Sequence, residues 1–345
     1  MKDVHKCPFC GVHVGCGCTG RFTRLVELLS AAEHRVSTLK PTSCTGSQSP
    51  IAVMIDKLSF NLASPIPEQD LKERLRLAGL EWKHTKHRDH RWCIQVGSET
   101  SGFYFRLGSR SFPYCSQLVT RPSEFSTFAD YQYQLGRILS GRELEDSRIT
   151  RLDIAIDYPK DLATVLSGFD FKRKQAQVCF LDKGGQRTGI RVGKGAERIQ
   201  VYDKAVEADQ PGSLTRIEIQ LSGKKLPTRD LSRLTKVLSK GNWNPFDQIS
   251  LNNVVLPENS ASLADSQQER LASLAPILNR EGLFSARRIF NKQGNFIRDF
   301  QPLIKIQPWQ EQPSESFKKH FVGFLNTNRE AEPNGTHYQA EASQS

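Results

Sequence analysis

Two aspartates, Asp153 and Asp157, stand four residues apart in the run RLDIAIDYP, residues 151–159. In an extended strand an even spacing puts both carboxylates on one face, and Ile154 and Ile156 then point the other way into a core. Ala155 lies between the acids and is small enough to leave room beside them. Two hard oxygen donors on one face suit Mg²⁺ or Mn²⁺, although a lone pair of strand aspartates is equally a solvated edge. A second acidic strand follows at TRIEIQL, where Glu218 is flanked by Ile217 and Ile219. Each acidic strand carries an arginine two residues before its acid, Arg151 before Asp153 and Arg216 before Glu218. An arginine so placed can pair with that acid or reach a phosphate beside a bound metal.

Between these strands lies ERIQVYDK, residues 197–204. Ile199 and Val201 define its apolar face, so Tyr202 shares the other face with Arg198, Gln200 and Lys204. A tyrosine on a polar, basic face is a candidate nucleophile. Phenol ordinarily titrates near pH ~10, and an adjacent ammonium such as Lys204, or a metal, favours the phenolate that attacks phosphorus. The plain alternative is a half-buried tyrosine whose hydroxyl meets water. Tyr131 and Tyr133 (DYQYQL) fall in a helical segment, where positions two apart do not face each other, and they read as packing residues.

The series RLDIAID, VYDK and RIEIQL, with the opening MIDKLSF at Met54, resembles the replication initiation factor family of rolling-circle plasmids and filamentous phages. The resemblance spans residues 51–225 and implies a metal-dependent, site-specific DNA endonuclease and strand transferase. It implies Tyr202 as the nucleophile with Lys204 beside it, and Asp153 and Glu218 as ligands of Mg²⁺ or Mn²⁺. Asp157 would be a further acidic position, and Arg151, Arg216 and Arg198 phosphate or support contacts. The expected reaction nicks one strand at a replication origin, leaves a 5′-phosphotyrosyl link and a free 3′-OH, and later rejoins the ends. Origin DNA is the implied partner, with a host helicase or polymerase and a second copy of the chain as further candidates. The His-hydrophobic-His metal pair of another rolling-circle class is absent. HTKHRDH (His84, His87, His90) has three-residue spacing with charged residues between, and reads as a basic surface segment. A non-catalytic, basic DNA-binding regulator is the competing reading.

Four of the eight cysteines, Cys7, Cys10, Cys16 and Cys18, crowd the segment HKCPFCGVHVGCGC. The C-x2-C knuckle, completed by Cys16 and Cys18 or by His13, fits tetrahedral Zn²⁺, so a small zinc-ribbon-like segment is one expectation and an unstructured leader the other. Cys44, Cys93, Cys115 and Cys179 are scattered and read as small buried apolar residues.

The elements that must position these groups follow from periodicity. A strand over 51–62 and an amphipathic helix over 67–79, with Pro first, acids in its first turn and Gly last, open the expected catalytic unit. A strand pair over 91–96 and 102–107, helices over 124–139 and 160–167, and strands at VCFL, GIRVG, RIQVYDK and LTRIEIQL complete it. Short runs of strands between helices predict an α+β fold with antiparallel-rich sheets and packed helices, and no internal repeat of fixed period is visible. The expected divisions are 1–50 (Cys-rich leader, with linker-like PTSCTGSQSP), 51–225 (catalytic), 226–306 (helical) and 307–345 (largely disordered tail). The 345 residues carry 48 Lys+Arg against 37 Asp+Glu, a formal charge of +11 that suits a nucleic-acid partner. No run approaches the ~20 apolar residues of a membrane span, and the N-terminus lacks the apolar stretch of a signal peptide, so a cytoplasmic location, in a bacterial host for a phage-encoded chain, is expected.

Overall fold

The computed structural model describes residues 51–326 apart from 98–101, 110–115, 173–176, 182–184, 186, 258–261 and 294–295. The cysteine cluster and the linker lie outside the described residues. The fold is α+β, as expected. Its centre is a ten-stranded antiparallel sheet in the order β2-β3-β4-β5-β1-β6-β11-β10-β9-β8. The strands of one half are β1 (Ala52–Leu62), β2 (Trp82–Thr85), β3 (His90–Val96), β4 (Phe103–Ser109) and β5 (Ser116–Thr120). Those of the other are β6 (Arg148–Tyr158), β8 (Gln177–Leu181), β9 (Arg187–Lys194), β10 (Glu197–Asp203) and β11 (Thr215–Ser222).

The strand order contains a repeat that the residues do not advertise. Each half is a strand, a helix and then four strands of this sheet, the second half also carrying Phe169–Phe171 of another sheet and the short helix Lys204–Glu207, and in each the last strand returns to pair antiparallel with the first. Helix α1 (Glu68–Leu77) follows β1, and helix α3 (Leu162–Gly168) follows β6, with α2 (Phe128–Ile138) in the connection between the halves. The halves join where β1 pairs antiparallel with β6, so a pseudo-two-fold axis runs between these two strands.

Local chemistry accounts for the elements. In α1, Pro67 precedes the first turn, Glu68 and Asp70 sit at the positive end of the helix dipole, and Arg74 and Arg76 sit at the negative end. Its Leu71 and Leu75, one turn apart, are fully buried, each contributing roughly 2 kcal/mol by burial. Strand β6 alternates Leu152, Ile154, Ile156 and Tyr158 into the same core, and β11 adds Ile217, Ile219 and Leu221. Helices α1, α2 and α3 contribute to this one core, so the apolar face of the sheet is the covered one.

The C-terminal part is not simply helical. β7 (Phe169–Phe171), β12 (Ile249–Val255) and β13 (Lys305–Pro308) form a separate three-stranded sheet in the order β13-β12-β7. Helix α4 (Asp265–Gln293) breaks at Gly282, whose φ of 81° is a left-handed value that favours glycine. Its second segment buries Leu283, Ala286 and Phe290 in a small second core. The expected tail beginning at 307 needs correction over its first twenty residues. Helix α5 (Pro313–Asn326) sends Phe317 and Phe321 into the main core, stacked at 4.4 Å between ring centroids. The polar residues around these two aromatics hide the helix from a composition-based reading. Among the described residues no helix is long and apolar enough to cross a membrane.

Candidate active site

The polar face of the second half gathers the predicted residues. Register sets the rows: Tyr202 faces Arg216 across β10 and β11, and Arg216 faces Asp157 across β11 and β6. One row on, Gln200 faces Glu218 and Glu218 faces Ala155; Arg198, Gln220 and Asp153 form the next. Glu218 and Asp153 are therefore diagonal neighbours on adjacent strands, within mutual reach of their side chains. Ala155, between the two aspartates on β6, is fully buried opposite Glu218.

The Tyr202 hydroxyl donates to Glu218 Oε2 at 3.1 Å, and the Gln220 amide donates to Glu218 Oε1 at 2.8 Å. Arg151 grips Asp153, with Nε at 2.8 and 2.9 Å from the two oxygens and Nη2 at 2.6 Å from Oδ2. That arginine–acid pair is the one the two-residue spacing predicted. The other is not formed. Arg216 reaches sideways, its Nε and Nη2 at 2.6 and 2.7 Å from the oxygens of Asp157 and its Nη1 at 2.5 Å from Asp56 Oδ1. Cross-strand neighbours lie closer than residues two apart on one strand, so Arg216 and Asp157 find each other first. Asp157 thus holds an arginine and does not stand beside Asp153.

Asp56 is the residue that sequence reasoning missed. Strict alternation assigns Ile55 and Lys57 to one face of β1 and Asp56 to the face of Leu58 and Phe60. The register against β6 slips between Ile55 and Lys57, an inserted residue that returns Ile55 and Leu58 to the same buried face. Asp56 and Lys57 are left with the acids of β6 and β11. The signal was present: two buried aliphatics three apart, with a charged pair between them, break the period of two.

Lys204 does not stand on the strand face where alternation places it. β10 ends at Asp203, whose carboxylate accepts the Val206 amide at 2.9 Å and caps the short helix Lys204–Glu207. Lys204 is in that helix, its ammonium 2.6 Å from Glu207. Lys57 is the ammonium whose charge acts on Asp153 and Glu218.

Electrostatics changes the expected state of the phenol as well. Burial first, and then the Glu218 charge, push Tyr202 well above the ordinary phenol range, the reverse of the lowering expected from Lys204. Burial, then the charges of Asp153 and Asp56, push Glu218 up to about 7. Asp153 is also raised, by burial against the opposing hydrogen bonds and charge of Arg151. The free protein therefore holds a protonated phenol against a carboxyl poised near neutrality.

Among the described residues, no three His, Cys, Asp or Glu side chains stand close enough together to hold one ion without rearrangement. The charges of Asp153 and Asp56 raise Glu218 by a repulsion that a divalent ion would relieve, and all three carboxylates are hard oxygen donors. An ion at Asp153 would have to displace Arg151 from it. Arg198, on the same face, is exposed.

Other predicted groups lie elsewhere. Tyr131 is buried in the core with its hydroxyl 3.1 Å from Thr120 Oγ1, a packing residue as expected. His84 lies 3.5 Å from Glu68, and the Nδ1 atoms of His87 and His90 are 3.1 Å apart at the β2–β3 turn, near the far edge of the sheet. Cys93 is buried, but Cys179 is exposed on strand β8, contrary to expectation; Cys44 and Cys115 are outside the described residues.

No family model and no curated protein matches the chain. Among solved structures it is similar to the rolling circle replication initiator protein from Geobacillus stearothermophilus, at 12% identity and a TM-score of 0.38, covering 68% of this chain and 99% of that one. A likeness of that size leaves the chemistry to be read from the side chains.

Proposed function

We propose that the chain initiates rolling-circle DNA replication by nicking and rejoining a DNA strand through Tyr202. The observation that carries this reading is the Tyr202 hydroxyl hydrogen-bonded to a carboxyl titrating near neutrality, Glu218, amid further carboxylates and arginines. A phenol held protonated needs a base. Glu218 is that base, since a group with a pKa near the working pH balances availability against proton affinity. Its Oε2 takes the phenolic proton as the tyrosyl oxygen attacks the scissile phosphorus. The bond from phosphorus to the 3′ oxygen breaks, and that oxygen takes a proton from water. The strand end becomes a 5′-phosphotyrosyl ester and a free 3′-OH able to prime a polymerase. The reverse attack by a 3′-OH rejoins the ends, with the proton returning to Tyr202 from Glu218.

Asp153, Asp56 and Glu218 would hold Mg²⁺ or Mn²⁺, which when bound supplies Lewis-acid polarisation of the phosphate. Asp157 fixes Arg216, and Arg216 positions Asp56 beside the tyrosine. Arg151 and Arg198 are suited to phosphate oxygens, Arg151 once it leaves Asp153. One observation favours the non-catalytic alternative: Asp153 and Asp157 are each satisfied by an arginine. The test is to incubate the full chain with Mn²⁺ and a labelled pool of random single-stranded oligonucleotides, then look for a denaturant-resistant protein–DNA adduct. Wild type should form it; Tyr202→Phe should bind the pool normally and form none. Adduct formation by Tyr202→Phe, or none by wild type, defeats the nicking reading.

A further inference from the structure

The pseudo-two-fold repeat allows each position of the catalytic face to be matched with one in the first half. The row Tyr202–Arg216–Asp157 runs across β10, β11 and β6. Its counterpart across β4, β5 and β1 is Arg106–Gln117–Asn61. The row Gln200–Glu218–Ala155 corresponds to Tyr104–Val119–Ser59. Asp153 corresponds to Lys57, and those two face each other directly across the junction of the halves. The second copy of the scaffold has kept the geometry and exchanged the chemistry. The three acids of the second half, Asp153, Asp157 and Glu218, are matched in the first by Lys57, Asn61 and Val119, and the nucleophile's position is held by a guanidinium. Arg106 is oriented by Gln117, whose Oε1 accepts from Nη1 at 3.1 Å.

We infer that this face, centred on Tyr104 and Arg106, binds the single-stranded DNA that flanks the scissile phosphate. The inference rests on reading the other half as a nicking site. That site has a difficulty of its own: its carboxylates repel the polyanion they must cut, so strand affinity has to come from neighbouring surface. The first-half face has the composition for it. A planar guanidinium grips phosphate, an aromatic ring offers a sequence-tolerant stacking platform, and amides reach base edges. It is continuous with the catalytic face on one sheet, opposite the side where helices share the apolar core. From β10 to β4 is five inter-strand steps, roughly 24 Å at about 4.8 Å each. That reach falls within the strand length engaged by nucleic-acid-binding sheets, on the order of 4–16 nucleotides.

The experiment measures fluorescence anisotropy of a labelled twenty-nucleotide oligo-dT with the full chain in EDTA, where no cutting competes. Tyr104→Ala and Arg106→Gln should each weaken binding by about tenfold, the scale of one lost stacking platform or phosphate grip. Arg106→Gln should also lower the salt slope by about 0.7, the share of one phosphate contact on a single strand. Tyr104→Phe, which keeps the ring, should bind as wild type, separating lost stacking from lost folding. Arg88→Gln, at a guanidinium 91% exposed in the β2–β3 turn, should cost far less. Wild-type affinity in Tyr104→Ala and Arg106→Gln, or an equal loss in Arg88→Gln, overturns the inference. The two readings fail separately. Weakened binding without any wild-type adduct sinks the nicking site and keeps this face, whereas adduct formation with unaltered binding by both variants does the opposite.

Discussion

Replacing Glu218 by glutamine separates the electrostatic cost of the site from its shape. The glutamine carbonyl can still accept from the Tyr202 hydroxyl, and a flip of the Gln220 amide restores the hydrogen bond at the other oxygen. The charge alone is lost. In the folded protein Glu218 titrates at about 7 against an ordinary 4.5. Between those values the folded chain keeps a proton that the unfolded chain has released, so stability falls as pH rises through the window and levels off above 7. At about 1.4 kcal/mol per pH unit, the full penalty is roughly 3 kcal/mol. Glu218→Gln should therefore match wild type near pH 4.5 and exceed it by roughly 2–3 kcal/mol at pH 8 in EDTA, a rise of about 3–5 °C in Tm for a chain of this size. Thermal melts followed by circular dichroism from pH 4.5 to 8.5 read this directly. Mn²⁺ should close the gap by stabilising wild type at high pH more than the variant. A variant no more stable than wild type at pH 8, or a gap that does not change with pH, refutes a Glu218 carboxyl raised by burial and by the charges of Asp153 and Asp56.

Two further outcomes follow from the packing of the site. Gly189 faces Tyr202 on the neighbouring strand, and a Cβ there would lie 2.6 Å from the Val201 carbonyl oxygen and 2.8 Å from Tyr202 Cβ. Gly189→Ala should thus cost about 1–3 kcal/mol in a denaturant melt and slow adduct formation by shifting the tyrosine; an unchanged melt and rate count against this placement of the ring. Arg216→Met strands Asp56 and Asp157 without their buried partner, at a cost of about 3–5 kcal/mol that Arg216→Lys should recover only in part, since an ammonium cannot reproduce the fork. Equal stability of the two variants would mean that the bidentate geometry contributes nothing.

The second half was legible because its strands obey the period of two. Ile154, Ile156, Ile199, Val201, Ile217 and Ile219 all point into one core, which forces the intervening acids, arginines and tyrosine onto the opposite face. What stayed hidden lay where a local rule competes with that period. The bulge at Asp56 moves a carboxylate from one face to the other. The Asp203 cap takes Lys204 out of the strand. Arg216 prefers an aspartate across the sheet to the glutamate two residues along its own strand. The doubled topology was hidden for a different reason. Strand order and register repeat while the residues on the polar face do not, so nothing in the sequence recurs at a fixed spacing.

The charges of the site explain why its three aspartates are tied to arginines. Asp56, Asp153, Asp157 and Glu218 carry four negative charges when ionised, against three positive ones from Lys57, Arg151 and Arg216. Asp153, Asp157 and Glu218 are buried and Asp56 half-buried, and a buried carboxylate left without such partners would cost several kcal/mol. Arg216 is buried and bonded to two acids, so it is a fixed part of the sheet. Arg151 has a single acid partner and a side chain 38% exposed. It is the counter-charge able to leave. Exchange of Arg151 for a divalent ion at Asp153 would keep that carboxylate neutralised throughout, and would free a guanidinium to meet the incoming phosphate. Positive charge brought beside Glu218 by that exchange would favour its carboxylate, the form able to accept a proton, while lowering its proton affinity.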